Sequence, residues 1–219
     1  MISIVMTSWN RPILLHKTLE SIKQQVYGLY PVQRLEVEVI VVDSGSDTET
    51  ENICKSYGAK YIKFEQVGYK GPARAINTGL RVASGEVIIL QNAECQHIDP
   101  NTIEKLSSLC TDTNAVFARV FALNPEGYKQ MVYCGTERPA AFFFCGAMKA
   151  SLWKQHQFDE DFIEPSYDDD EFSDRLKQSG ISFVFSPIEV HHQYHPRIAH
   201  DESISRALYM SKKAFGRAK

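Results

Sequence analysis

The stretch "GPARAINTGLRVASGEVIILQNAEC", residues 71–95, decides how the rest of the chain reads. Pro72 near its start and Gly85 near its end bracket a helical stretch. Four apolar residues, 87–90, follow and read as a buried strand. That strand then ends in a knot of polar side chains: Gln91, Asn92 and Glu94. A strand used only for packing need not end in oxygen-bearing groups.

The same alternation extends towards the N-terminus. "ISIVMT" (2–7) is a β-rich run. "RPILLHKTLESIKQQ" (11–25) places Ile13, Leu14, Leu19 and Ile22 near helical spacing, with Pro12 in the opening turn. "LEVEVIVVD" (35–43) is a strand with an unbroken apolar end. "DTETENICKSYG" (47–58) is a short helix with Asp47 or Thr48 as cap, acids in its first turn and Gly58 as its stop. "AKYIKF" (59–64) is a further strand. Strands alternating with helices imply βαβ units and a mostly parallel sheet with right-handed crossovers. Ligands of such sheets sit at the carboxyl ends of the strands. Three strands here end in polar clusters: "TSWNR", "DSGSD" and "QNAEC".

The second half changes character. "DPNTIEKLSSLC" (99–110) reads as a helix. "AVFARVFAL" (115–123) and "KQMVYC" (129–134) read as strands around a turn at "NPEGY". "AAFFFCGAMKASLWKQ" (140–155) reads as an apolar strand running into a short helix. An acidic stretch then becomes helical at 168–178, and "ISFVFSP" and "IEVHHQYH" read as two short strands. The tail 197–219 carries six Lys/Arg against Asp201 and Glu202 and reads as a basic helix. It either packs on the domain with a solvated basic face or touches anionic lipid or nucleic acid.

Composition narrows the class. The 219 residues are 43% hydrophobic and 23% charged, with net charge −3. A core is affordable, and the molecule as a whole is no electrostatic nucleic-acid binder. No apolar run approaches a bilayer span, and the N-terminus lacks a basic leader, so neither a transmembrane segment nor a signal peptide is expected. Cys54, Cys95, Cys110, Cys134 and Cys145 are odd in number and irregularly spaced, which points to reduced thiols and a cytoplasmic protein.

Four constellations carry chemistry. Asp43 stands at a strand tip, where it either accepts hydrogen bonds from a ligand or caps the next helix. Asn92 and Glu94 lie two apart, so in an extended segment both face one side and could present oxygens to a hard cation; a plain polar turn is the alternative. Asp168, Asp169, Asp170 and Glu171 open a helix, where the dipole favours one or two acids; a carboxylate crowded by others can be tuned as a general base. His191, His192 and His195 lack the spacing of a zinc site.

Taken together, five segments resemble a family 2 glycosyltransferase of the GT-A fold over residues 2 to 195. "ISIVMTSWNRPILLHKTLESIKQQ" is similar to the family's opening strand, polar turn and first helix, and "VEVIVVDSGSDTET" to its "vvDdgStD". "GPARAINTGLRVASGEVIILQNAEC" resembles "aaalNtGi..A.Geyi.flDaDd". "FFFCGAMKASLWKQHQFDEDF" resembles "ggam.irre.w...ggFdE.f", and "YDDDEFSDRLKQSGISFVFSP" resembles "ED.dl..Rl...G..i.y.P". The resemblance implies an α/β, GT-A (Rossmann-like) architecture: a mostly parallel central sheet flanked by helices, with a small mixed β region in the C-terminal half. One domain would span 1–196, with a nucleotide-binding half (1–95), an acceptor and catalytic half (96–196), and the basic tail 197–219 outside it.

It also implies roles. Thr7, Asn10, Asp43, Ser46, Arg74 and Asn77 would hold the nucleotide, and Gly146 and Ala147 would let the donor sugar approach. Asn92 and Glu94 occupy the family's metal-binding D-x-D, with His192 as third ligand and His191 as its understudy, for Mn²⁺ or Mg²⁺. Asp168 and Asp169 match the family's "ED", with Asp169 as base. Asn92 departs from the pattern, which leaves a catalytically degenerate sugar-nucleotide-binding module as one alternative. A nucleotidyltransferase is another, although "TSWNRP" lacks the glycines of its phosphate loop. The Q-x-x-R-W motif of processive synthases is absent. The implied activity is metal-assisted, inverting transfer of one sugar from a nucleotide diphosphate sugar, UDP-linked, to an acceptor hydroxyl; a glycan, a lipid-linked saccharide and a modified DNA base are all open as the acceptor.

Overall fold

The computed structural model describes residues 1–26, 36–45 and 48–216. The elements run β1 (Ile2–Ser8), α1 (Pro12–Val26), β2 (Val37–Asp43), α2 (Thr48–Ser56), β3 (Lys60–Lys63), α3 (Ala73–Val82), β4 (Val87–Asn92), β5 (Cys95–His97) and α4 (Thr102–Ser108). Then come β6 (Asn114–Leu123), β7 (Lys129–Cys134), β8 (Cys145–Lys149), α5 (Ala150–Gln155), α6 (Asp168–Gln178), β9 (Ser182–His192) and α7 (Ser203–Gly216). The described strands form one sheet in the order β3-β2-β1-β4-β8-β6-β9-β5, with β7 added beside β6. The front part, β3-β2-β1-β4, is parallel. The back is mixed: β8 runs antiparallel to β4 and β6, while β9 runs parallel to β6.

Burial on both faces explains the continuous apolar runs of the front strands. Ile4, Val5, Met6, Ile40, Val41, Val42 and Ile89 are fully buried. In α1 the buried row is Leu15, Thr18, Leu19 and Ile22, spaced three and four apart. Ile13 is not part of that row and is 69% exposed. Gly85 stops no helix, since α3 ends at Val82. A Cβ there would come within 2.5 Å of the Ser3 backbone nitrogen, so glycine is needed for contact with β1.

In the back half, aromatic packing replaces regular alternation. Phe158 stacks on Phe172 at 4.2 Å, Trp153 lies parallel to Phe172, and the Trp153 indole N–H donates to the Ile88 carbonyl. The strand read from residue 140 begins only at Cys145. The two short strands read after residue 180 are one, β9, whose register shift against β6 falls around Pro187. The tail is helical, but two of its cations turn inward. Lys212 pairs with Asp159 and Asp161, and Lys213 with Asp174. All five cysteines are free and buried, and burial pushes the thiols of Cys54, Cys110, Cys134 and Cys145 up to about 12. Among the described residues, no helix is long and apolar enough to cross a membrane.

A buried polar chain joins α1 to the β4–β5 corner. The Gln25 amide donates to Nδ1 of His97, whose Nε2–H donates to Gln91, both at 2.8 Å. The Gln91 amide donates to the Cys95 carbonyl. Burial lowers the His97 pKa to about 4. The unfolded chain, titrating near the ordinary value of about 6.5, therefore binds the proton first. Stability is full above that value and falls as pH drops towards 4, by on the order of 3 kcal/mol from this group. Urea midpoints measured from pH 7 to pH 4 should fall, and less steeply in His97→Gln.

Candidate active site

The front strands deliver their polar ends side by side because their registers align. Ser8 pairs with Asp43, and Thr7 with Asn92. Just beyond, the Ser44 N–H donates to the Ser8 carbonyl and the Ala93 N–H to the Thr7 carbonyl. Above these ends lies a cleft of about 110 Å³. Thr7, Ser8, Trp9 and Arg11 line it from the end of β1, Ser44 from β2, Tyr69 and Lys70 from the loop before α3, and Asn92 and Glu94 from the end of β4.

Asn10 adopts the left-handed region, φ 53°, and is itself exposed. Asn tolerates that conformation, and the turn carries its neighbours Trp9 and Arg11 to the cleft wall while Asn10 stays off it. Trp9 lies over Gly45, where a Cβ would come within 2.3 Å of the indole nitrogen, and meets Tyr69 edge-on at 5.1 Å.

Asp43 is buried and accepts a hydrogen bond from the Tyr61 hydroxyl at 3.2 Å. Glu94 is buried and ion-paired with Arg11. The imidazole that reaches Glu94 is that of His195, with Nε2 at 3.7 Å. His192 sits one ring further away, 5.3 Å from His195 between centroids, with Tyr133 and Phe144 on its other sides. Burial, then the neighbouring His195 and Arg11 charges, lower its pKa to about 4, so it is a neutral imidazole. His191 faces the other way and pairs with Glu189. Among the described residues, no three His, Cys, Asp or Glu side chains cluster as a metal cage. Glu94 with Asn92 offers the one or two oxygens that Mg²⁺-like ions take when substrate phosphates complete the shell, so the donor set fits an ion shared with a ligand.

The acids at the start of α6 divide by environment. Ser166 and Tyr167 both have positive φ, 81° and 65°, and turn the chain abruptly into the helix. Glu171 is paired with Arg175. Asp169 faces the Phe143 N–H at 3.4 Å. Burial, and then the Asp168 charge, push the Asp169 carboxyl well above the usual range. Burial and then Asp170 push Asp168 up to about 6. The Asp168 charge is also felt by the Tyr69 hydroxyl, on a residue of the cleft lining, whereas Asp168 and Asp169 are not themselves among the residues that line it.

Other expected residues lie elsewhere. Asn77 is buried, donates to the Phe158 carbonyl and to Glu160, and accepts from the Phe158 N–H. It therefore fastens residues 158–160 to α3 rather than facing the cleft. Arg74 is exposed, nearest Glu160 at 3.9 Å. Gly146 and Ala147 are buried in β8 opposite Leu90 and Ile89. A Cβ at Gly146 would press on Phe143 and Phe117, so the small residue serves aromatic packing. Ser46 lies outside the described residues. Residues that were given no role beforehand include Trp9, Arg11, Tyr69, Lys70 and His195, the last named only as one of three neighbouring histidines. Trp9 and Arg11 stood within the quoted "TSWNR"; Tyr69 and Lys70 have no periodic signal.

Comparison with known proteins gives a match to the family model described as Glycosyl transferase family 2 over residues 3–149. Glucosyl-3-phosphoglycerate synthase of Petrotoga mobilis is 29% identical over 107 residues, 47% of this chain and 32% of that protein. The GalNAc(5)-diNAcBac-PP-undecaprenol beta-1,3-glucosyltransferase of Campylobacter jejuni is 27% identical over 184 residues, 74% of this chain and 55% of that protein. Among solved structures, a mannosyltransferase, PcManGT, from Pyrobaculum calidifontis in complex with GDP-Man and Mn²⁺ matches with TM-score 0.66 at 20% identity, covering 95% of this chain and 61% of that one. S. aureus TarS 1-349 in complex with UDP-GlcNAc matches with TM-score 0.68 at 16% identity, covering 91% and 61%. These likenesses show a common fold. The chain thus spans about a third to three fifths of the length of these proteins.

Proposed function

The chain belongs to glycosyl transferase family 2, and on that premise we propose that it transfers one sugar from a nucleotide diphosphate sugar, UDP-linked, to an acceptor hydroxyl with inversion. One observation carries the reading: a cleft over the carboxyl ends of parallel strands is lined by Glu94, its ion-pair partner Arg11, and Tyr69, whose hydroxyl feels the charge of Asp168. Trp9 and Tyr69 supply an aromatic wall for a base or ribose, and Asp43, buried at the end of β2 beside Ser8, a carboxylate next to the lining residue Ser44. Arg11 and Lys70 supply positive charge for the diphosphate. Glu94 with the Asn92 amide oxygen would hold Mn²⁺ or Mg²⁺, whose chemistry when bound is to offset the charge of the departing diphosphate. Asp169 takes the proton of the acceptor hydroxyl as that oxygen attacks the anomeric carbon from the face opposite the leaving group. One base and one nucleophile give one inversion. On this reading residues 1–95 serve the donor and 96–196 the acceptor, a saccharide.

The test is a thermal-shift panel of UDP- and GDP-sugars with and without Mn²⁺. UDP-sugars should raise the melting temperature, more so with Mn²⁺. A panel in which no nucleotide sugar shifts it would end the reading. The Asn92 departure favours a second reading, a module that binds but does not turn over; release of UDP from a bound UDP-sugar would exclude it.

A further inference from the structure

Between the acid pair and the Glu94 corner lies a group of aromatic side chains that no step above uses. Tyr133 stacks on Phe144 at 5.0 Å, and Phe142 meets Phe144 edge-on at 5.9 Å. His192 stands edge-on to both Tyr133 and Phe144 at 5.4 Å, and the Arg138 guanidinium lies 5.6 Å over the Phe142 ring. The burial pattern is selective. Phe143 is 3% exposed and belongs to the core, whereas Tyr133, Phe142 and Phe144 are half-buried.

Their position is tied to the site at both ends. The Phe143 N–H faces Asp169, and the Phe144 carbonyl accepts the Asn92 N–H at 3.1 Å. His192 continues through His195 to Glu94.

We propose that Tyr133, Phe142 and Phe144 form a stacking platform for a pyranose ring beside Asp169. The inference rests on the sugar-transfer reading and adds the sugar's recognition. Aromatic faces carry partial negative charge, and the axial C–H hydrogens on a pyranose face carry partial positive charge. A pyranose therefore lays a C–H face on such rings while its equatorial hydroxyls point sideways. There they would meet the Tyr133 hydroxyl, the His192 imidazole and the Asp169 carboxylate. The ring has two possible sources, the donor's sugar and the acceptor.

Saturation-transfer NMR tests this on the whole chain with UDP, UDP-GlcNAc, methyl β-D-glucopyranoside and methyl β-D-galactopyranoside as probes. Ring C–H protons of at least one sugar should receive saturation. That signal should fall about fivefold in Tyr133→Leu and Phe144→Leu and persist in Tyr133→Phe, while the UDP signal is unchanged in all three. A response from the free glycosides assigns the platform to the acceptor; a response from the UDP-GlcNAc sugar ring alone assigns it to the donor. Should Phe144→Leu fail to fold, Phe142→Leu replaces it. Sugar signals absent in the wild type, or undiminished in the leucine variants, with UDP still binding would overturn the platform and leave the transferase reading intact. Silence from UDP as well would remove the nucleotide site and this proposal with it.

Discussion

Asp169→Asn is expected to lower sugar-transfer turnover by roughly a thousandfold, within the range a positioned general base contributes, and to leave nucleotide affinity within about twofold of wild type. The substitution keeps shape and an oxygen for the Phe143 N–H, so the local fold survives. What it removes is proton affinity. Asp169 is burdened by burial and by the Asp168 carboxylate, and like charges this close hold at least one proton of the pair above the ordinary carboxylate range. A base so raised is better matched to an alcohol proton than an exposed aspartate. The proposed role carries a pH profile: the rate should rise with pH as the pair loses its proton and decline in acid as Asp168, at about 6, and Asp169 are neutralised. Product formation from labelled UDP-sugar across pH, beside calorimetric binding of UDP, checks both. Wild-type turnover in Asp169→Asn would take the base role from this residue.

Glu94→Ala has two separable consequences. The first is structural. Glu94 is buried and Arg11 half-buried at the cleft wall, so removing Glu94 leaves a partly solvated charge unmatched, at a cost of about 1–3 kcal/mol. Replacing both, as Arg11→Met with Glu94→Leu, should recover most of that loss, because the desolvation of both ions is then avoided. The second is functional. Neither the single nor the double variant should show the gain in UDP-sugar affinity that Mn²⁺ confers on the wild type, since the carboxylate is gone from both. Urea unfolding reads the first effect and nucleotide titration with and without Mn²⁺ the second. A titration in Glu94→Ala indistinguishable from wild type would take Glu94 out of the site.

Much of the front half could be read from local patterns. Apolar runs at 4–6, 39–42 and 87–90 specify buried strands whatever lies beside them. Gly58 at φ 67° and the acids crowding the start of α6 are local requirements too. So the polar strand ends, Asp43 and the Asn92–Glu94 pair were legible as a cluster before any coordinates. The back half was less so. Residues 142–144 are uniformly apolar, yet one enters the core and two stay half-buried, because the segment lies between elements instead of pairing within a strand.

The amino-acid order was enough for the α/β class, for the alternation that yields parallel strands, and for the chemistry gathered at their carboxyl ends. It could not say which partner each side chain meets. That Arg11 answers Glu94, that His195 and not His192 reaches it, and that Asn77 holds residues 158–160 all follow from which strands become neighbours. The glycines at 79, 85 and 146 belong there too: their small size answers Val5, Ser3 and Phe117, each distant along the chain. Periodicity encodes which face of an element is buried, and only the order and register of the assembled sheet decide what presses against that face.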